Sequence, residues 1–137
     1  MQSFVKSYVL PLALVIALAG MLGSLYFSEV MHLPPCLWCW YQRIALYPLV
    51  LIIAVAIATR DSRAWLYALP LSLIGCVMAL YHVLLIQGVF TEVAACRVGV
   101  SCATISWSWG FLTIPVLSLL AFISISVLLW VFKKYNR

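Results

Sequence analysis

Four of the five cysteines in this 137-residue chain fall into two close pairs. Cys36 and Cys39 form a CxxC unit inside Pro34-Pro35-Cys36-Leu37-Trp38-Cys39-Trp40-Tyr41-Gln42-Arg43, just after a Pro-Pro break and just before an apolar run. Cys96 and Cys102 form a CX5C pair in a segment that also holds Gly99 and Ser101. If the apolar run after Cys36 is a helix, Cys39 and Arg43 share a face of its first turns, about 6 Å apart along the axis. Cys36 then stands at the helix N-terminus, where unpaired N–H groups and the macrodipole favour negative charge, so a stabilised thiolate is expected there. A dithiol of that kind beside a fixed cation is suited to thiol–disulfide exchange, which proceeds by thiolate attack through a mixed disulfide.

The elements that hold these pairs follow from composition. The chain is 67% hydrophobic and 8% charged, against roughly 25% charged residues in soluble domains. Its natural solvent is therefore a bilayer. The net charge of +5 does not point to nucleic acid, because the basic residues sit in short clusters beside apolar runs, as orientation signals do. A span needs roughly 20 apolar residues. The long uncharged runs predict an all-α, single-domain bundle over 1–137, with spans at about 7–28, 39–59, 64–87 and 109–132 and outer loops at 29–38 and 88–108. The runs lack period-two alternation, which excludes a transmembrane barrel. Residues 1–28 resemble a signal peptide only in part; the apolar run continues through Leu25-Tyr26-Phe27, as a retained span does.

With four spans, Lys6, Arg60, Arg63, Lys133, Lys134 and Arg137 share one side, and Arg97 and Arg43 take the other. That bias predicts that both termini are cytoplasmic. It also places Cys36, Cys39, Cys96 and Cys102 outside, where disulfides form. A disulfide across CX5C closes a very short loop and gains less chain entropy than the roughly 3 kcal/mol of a 15-residue loop. In an exposed loop it reads as the exchangeable kind, the alternative being a structural staple. Electrons taken up there can pass to the membrane-anchored pair, which must then unload two of them. The chain has no CxxCH and no cluster of four closely spaced cysteines, so haem and iron–sulfur acceptors are not expected. A lipid-soluble two-electron carrier, a quinone, is. Arg43 would stabilise negative charge developing on the ring oxygen.

Three further residues stand out. His82 lies in span three, where an ionisable group is expensive; it reads either as a helix–helix hydrogen bond or as a hydrogen bond to a cofactor bound near Arg43. His32 reads as an interfacial histidine, the sharper alternative being a proton carrier for the thiols. Cys76, between Gly75 and Val77 near mid-span, reads as an inert small hydrophobe. No carboxylate lies deep in any span, unlike many ion-coupled transporters.

The run Pro35 to Arg43, Tyr81-His82, Cys96 and Cys102 together resemble the DsbB family of bacterial disulfide-bond-formation proteins, and its short BdbC-type members most. The similarity covers essentially the whole chain. It implies that Cys96 receives the thiol of a DsbA-like thioredoxin-fold oxidase outside the membrane, that Cys102 then attacks Cys36, and that Cys39 contacts the quinone, ubiquinone or menaquinone. Arg43 matches the quinone-site arginine, and His82 resembles a span-three histidine near the quinone. The implied location is the bacterial cell membrane, with lipid around a multi-pass chain. Two departures stand out. Gln42 replaces the glutamate that precedes the arginine in the longer relatives, and only five residues separate Cys96 from Cys102, where those relatives carry a membrane-associated helix. The competing reading is an outward metal site of four cysteines, whose ligand count suits a tetrahedral thiolate centre. A cation at Arg43 opposes it. A vitamin K epoxide reductase-like bundle has its CxxC after the loop pair; here it comes first.

Overall fold

The computed structural model describes residues 2–92, 100–103 and 108–137. Four helices dominate them: α1 (Gln2–Leu25), α2 (Leu37–Thr59), α3 (Trp65–Ile86) and α4 (Ile114–Asn136). Each is long and apolar enough to cross a membrane. A π-helical turn, Tyr26–Val30, prolongs α1, and a two-residue-per-strand hairpin, β1 (Ser108–Trp109) with β2 (Leu112–Thr113), leads into α4. The helices pack in a ring: α1 against α2 and α4, α3 against α2 and α4.

Small and branched residues meet in the centre of that ring. Ala17, Leu49, Ile53, Ala79, Phe122, Ile125 and Leu129 are buried, while Leu51, Val55, Val77 and Val127 face outward and are more than half exposed, as a lipid-facing surface requires. Helices in lipid gain little from apolar burial against each other, so close approach at small residues and interhelical hydrogen bonds hold the bundle. The α3–α4 contact has both. The Ser72 hydroxyl bonds the Ser126 hydroxyl at 2.7 Å and donates to the Phe122 carbonyl at 3.2 Å. A Cβ added at Gly75 would stand 2.2 Å from the Phe122 ring. Gly75→Ala is therefore expected to force the ring aside and destabilise the bundle by about 1–3 kcal/mol, read as a lowered Tm in detergent.

The boundaries depart from the sequence expectation most at α1, which begins at Gln2 rather than about 7, and at α4. Helix α4 starts at Ile114 rather than at 109, because Gly110 takes a positive φ of 64° in the hairpin and Pro115 is set at the start of the helix, where its missing N–H costs nothing. The same helix runs on past Phe132, with Lys133 and Lys134 in a last turn whose carbonyl end favours cations. Helix α2 ends at Arg60, which is left-handed at φ 54° and bonds back to the Ala56 and Ile57 carbonyls.

Candidate functional site

The thiol pair sits where α2 begins. Cys36 is the N-cap, in extended backbone, and its side chain makes no capping bond. Instead it donates its S–H to Cys39 Sγ at 3.3 Å. This corrects the expected thiolate at Cys36. The bond to Cys39 and then burial push its pKa up to about 12, with His82 pulling weakly the other way. A helix N-terminus favours an anion only where its N–H groups point at the sulfur, and here the sulfur has turned toward its partner. In the reduced protein Cys36 is expected to stay protonated through pH 9, its alkylation by iodoacetamide still accelerating toward about pH 12. Cys39→Ala removes the largest cause and should raise the Cys36 alkylation rate at pH 9, followed by mass spectrometry.

His82, buried on α3, is the hub of the site. Its Nε2 lies 3.2 Å from the Cys102 carbonyl oxygen and 3.6 Å from Cys36 Sγ, and its Nδ1 lies 3.0 Å from Gln42 Nε2. A carbonyl can only accept, so Nε2 carries the hydrogen; in the neutral ring Nδ1 then accepts from the Gln42 amide. The α2–α3 hydrogen bond anticipated for His82 is present, and Gln42 is its partner. Cys36, Leu85 and Cys102 form one buried cluster at this end of the bundle, packed against Leu37, Trp38, Cys39 and Tyr81. The structure thus brings Cys102 to the CxxC pair, although Cys102 lies 63 positions after Cys39 in the sequence. Cys96 and Arg97 lie outside the described residues.

Two cavities meet at Cys39 and Arg43. The smaller, about 60 Å³, is lined by Cys36, Cys39, Arg43, His82, Pro35 and Ser101. The larger, about 360 Å³, lies between α1, α2 and α4 and is lined by Cys39, Gln42, Arg43, Leu46, Phe122 and a face of α1. Its volume is in the range of small-molecule sites, roughly 300–1,000 Å³. The α1 face consists of Ile16, Ala19, Gly20, Gly23, Ser24 and Phe27, a helical stripe whose small residues leave the space. The sequence carries that stripe as i, i+3, i+4, i+7 spacing, a signal far weaker than the cysteine pairs. Arg43 Nη2 donates to the Ser24 carbonyl at 2.8 Å, and its guanidinium lies 5.3 Å from the Trp40 ring centre. Its Nε is buried and has no partner among the described residues. A fixed cation with an unused donor, next to a thiol and an apolar cavity, suits a ligand with a ring oxygen that gains negative charge. The donor set therefore fits a quinone.

Of the other candidates, His32 is exposed at φ 54° and bonds neither thiol. Cys76 is half-buried and 3.6 Å from the Ser126 hydroxyl, away from the site. Among the described residues, Cys36, Cys39 and His82 bring three ligand atoms within 4.8 Å of one another. In the tautomer set by the Cys102 carbonyl, however, the Nε2 lone pair is replaced by a hydrogen, so this arrangement is not poised for a metal.

A membrane bundle with a CxxC pair at a helix start, a further cysteine packed against it and an adjoining apolar cavity defines a membrane thiol oxidoreductase. Residues 6–132 match the family model described as Disulfide bond formation protein DsbB. The chain is 40% identical over 131 residues to Probable disulfide formation protein C 2 of Bacillus cereus, covering 95% of this chain and 94% of that one. It is 45% identical over 122 residues to Disulfide bond formation protein C of Bacillus subtilis, covering 87% and 88%, and 37% identical over 136 residues to Probable disulfide formation protein of Chlamydia pneumoniae, covering 99% of each. No solved structure matches the chain. The chain belongs to the DsbB family of disulfide bond formation proteins: it is a multi-pass membrane oxidoreductase that generates disulfides.

Proposed function

We propose that this protein is a thiol:quinone oxidoreductase of the bacterial cytoplasmic membrane, with both termini in the cytoplasm, that reoxidises a DsbA-like thioredoxin-fold dithiol outside it. The observation that carries this reading is the meeting of Cys39 and Arg43 on a cavity of about 360 Å³ between α1, α2 and α4. A soluble acceptor would not need an apolar cavity inside the bundle.

The exchange balances in four steps. A partner thiolate attacks Cys96 of a Cys96–Cys102 disulfide, forming a mixed disulfide and releasing Cys102 as thiolate. Cys102 attacks Cys36 of a Cys36–Cys39 disulfide, forming Cys36–Cys102 and releasing Cys39 as thiolate. The partner's second thiolate then displaces Cys96 and leaves oxidised. Cys96 attacks Cys102, restoring the loop disulfide and freeing Cys36. The Cys36–Cys39 dithiol is closed again by loss of two electrons and two protons. A bound quinone, ubiquinone or menaquinone, supplies the sink for them. This chain's residues do the remaining work: Cys39 and Arg43 line the cavity, Arg43 would stabilise negative charge on a ligand oxygen bound there, and Gln42 holds the His82 ring against Cys36 and the Cys102 carbonyl.

The test is quinone reduction by the purified protein with a reduced thioredoxin-fold partner, followed by the loss of quinone absorbance. One quinol per partner disulfide is expected. Oxidation of the partner at an unchanged rate in quinone-free membranes would overturn the reading, and labelling of Cys36 or Cys39 from the cytoplasmic side would overturn the orientation.

A further inference from the structure

Three consecutive residues around Cys102 are held by two side chains from the far end of α3 and the segment beyond it. Glu92 Oε1 accepts from the Ser101 hydroxyl and from the Ala103 N–H, the latter at 2.7 Å. The Ser101 Oγ also accepts from the Ala103 N–H, at 3.3 Å. Between them, the Cys102 carbonyl accepts from His82 Nε2 at 3.2 Å. Cys102 itself is 1% exposed and packs with Cys36 and Leu85. A carboxylate accepting two hydrogen bonds makes the stronger, charge-assisted kind. A turn tied at its residue before, its residue after and its own carbonyl has little freedom left.

We propose that Glu92 is a positioning residue: its carboxylate, with the His82 ring, clamps the turn 101–103 so that Cys102 is held at Cys36. This rests on the exchange order given above and deepens it. Cys102 is docked against Cys36, and the hand-over to Cys36 needs no excursion of the chain that carries it. Preorganisation of this kind acts by raising the effective concentration of one thiol at another. In this role Glu92 acts through the Ser101 hydroxyl and the Ala103 N–H.

The experiment measures that effective concentration directly. In full-length protein carrying Cys39→Ser, Cys76→Ser and Cys96→Ser, only Cys36 and Cys102 remain. Equilibration in detergent with a glutathione redox buffer, followed by acid quench and mass spectrometry, gives the effective molarity of the Cys36–Cys102 disulfide. Neither quinone nor partner enters the measurement, so it fails or succeeds independently of the oxidoreductase reading. Adding Glu92→Ala is expected to lower the effective molarity at least tenfold. Glu92→Gln, which retains an oxygen acceptor for the Ala103 N–H, is expected to restore most of it. The parent and both variants are compared at matched helical content and Tm. An effective molarity within twofold of the parent in Glu92→Ala overturns the proposal. So does an equal loss in Glu92→Ala and Glu92→Gln, because the clamp then does not work through the acceptor.

Discussion

Cys39→Ser is expected to abolish quinone reduction, lowering turnover by at least a thousandfold, while Cys76→Ser keeps it within about twofold. Among the described residues, Cys39 is the one thiol that lines both cavities, and it accepts the S–H of Cys36 at 3.3 Å. A hydroxyl in its place keeps the volume and the hydrogen bond, but it can form no disulfide and its anion is inaccessible near neutral pH. Electrons arriving at Cys36 then have nowhere to go. The same replacement leaves no Cys36–Cys39 disulfide for Cys102 to attack, so the Cys36–Cys102 intermediate of the exchange should not accumulate during turnover with the partner. A non-reducing gel after partial proteolysis between α2 and α4 reads its absence. Cys76 is the internal control, because its sulfur contacts Ser126 and neither cavity. Normal turnover of Cys39→Ser would sink the site assignment.

Arg43→His should raise the KM for quinone about tenfold to a hundredfold and change kcat less. The guanidinium is tied to the α1 backbone through the Ser24 carbonyl at 2.8 Å, and its buried Nε has no partner among the described residues. A charge-assisted hydrogen bond to a ligand oxygen contributes roughly 1.5–3 kcal/mol, which corresponds to that range of affinity. Histidine is shorter and, among apolar neighbours, sheds its proton, so it loses both the reach and the charge. Because the Arg43 side chain also links α2 to α1, the Tm of the variant separates a local effect from loosening of the bundle. A KM unchanged in a variant of parental stability would remove Arg43 from the ligand site.

Much of this was readable from the chain before any coordinates. Uncharged runs of span length bounded by Lys and Arg must become helices in lipid, because backbone groups there have no water to bond. The CxxC pair, Arg43 four residues on and the second cysteine pair are local features of spacing, and helical periodicity puts Cys39 and Arg43 on one face without help from the rest of the fold. The four spans and the pairing of Cys39 with Arg43 were therefore legible. Short-range turn chemistry was legible in principle but weaker: Gly110 and Pro115 moved the start of α4, against an expectation built on hydropathy alone.

Only the tertiary structure decided the rest. The state of Cys36 depends on where its S–H points, and a choice between a helix N-terminus 1 residue away and a sulfur at 3.3 Å is made by side-chain packing, not by sequence position. The His82 tautomer depends on Gln42 from one helix and a carbonyl from a loop after another, three groups far apart in the chain. The cavity exists because the small residues of α1 happen to face the start of α2, and the Glu92 clamp exists because residues 101–103 return to the end of α3. Periodicity along one helix sets which residues share a face; which faces meet is a property of the bundle as a whole, and no local pattern records it.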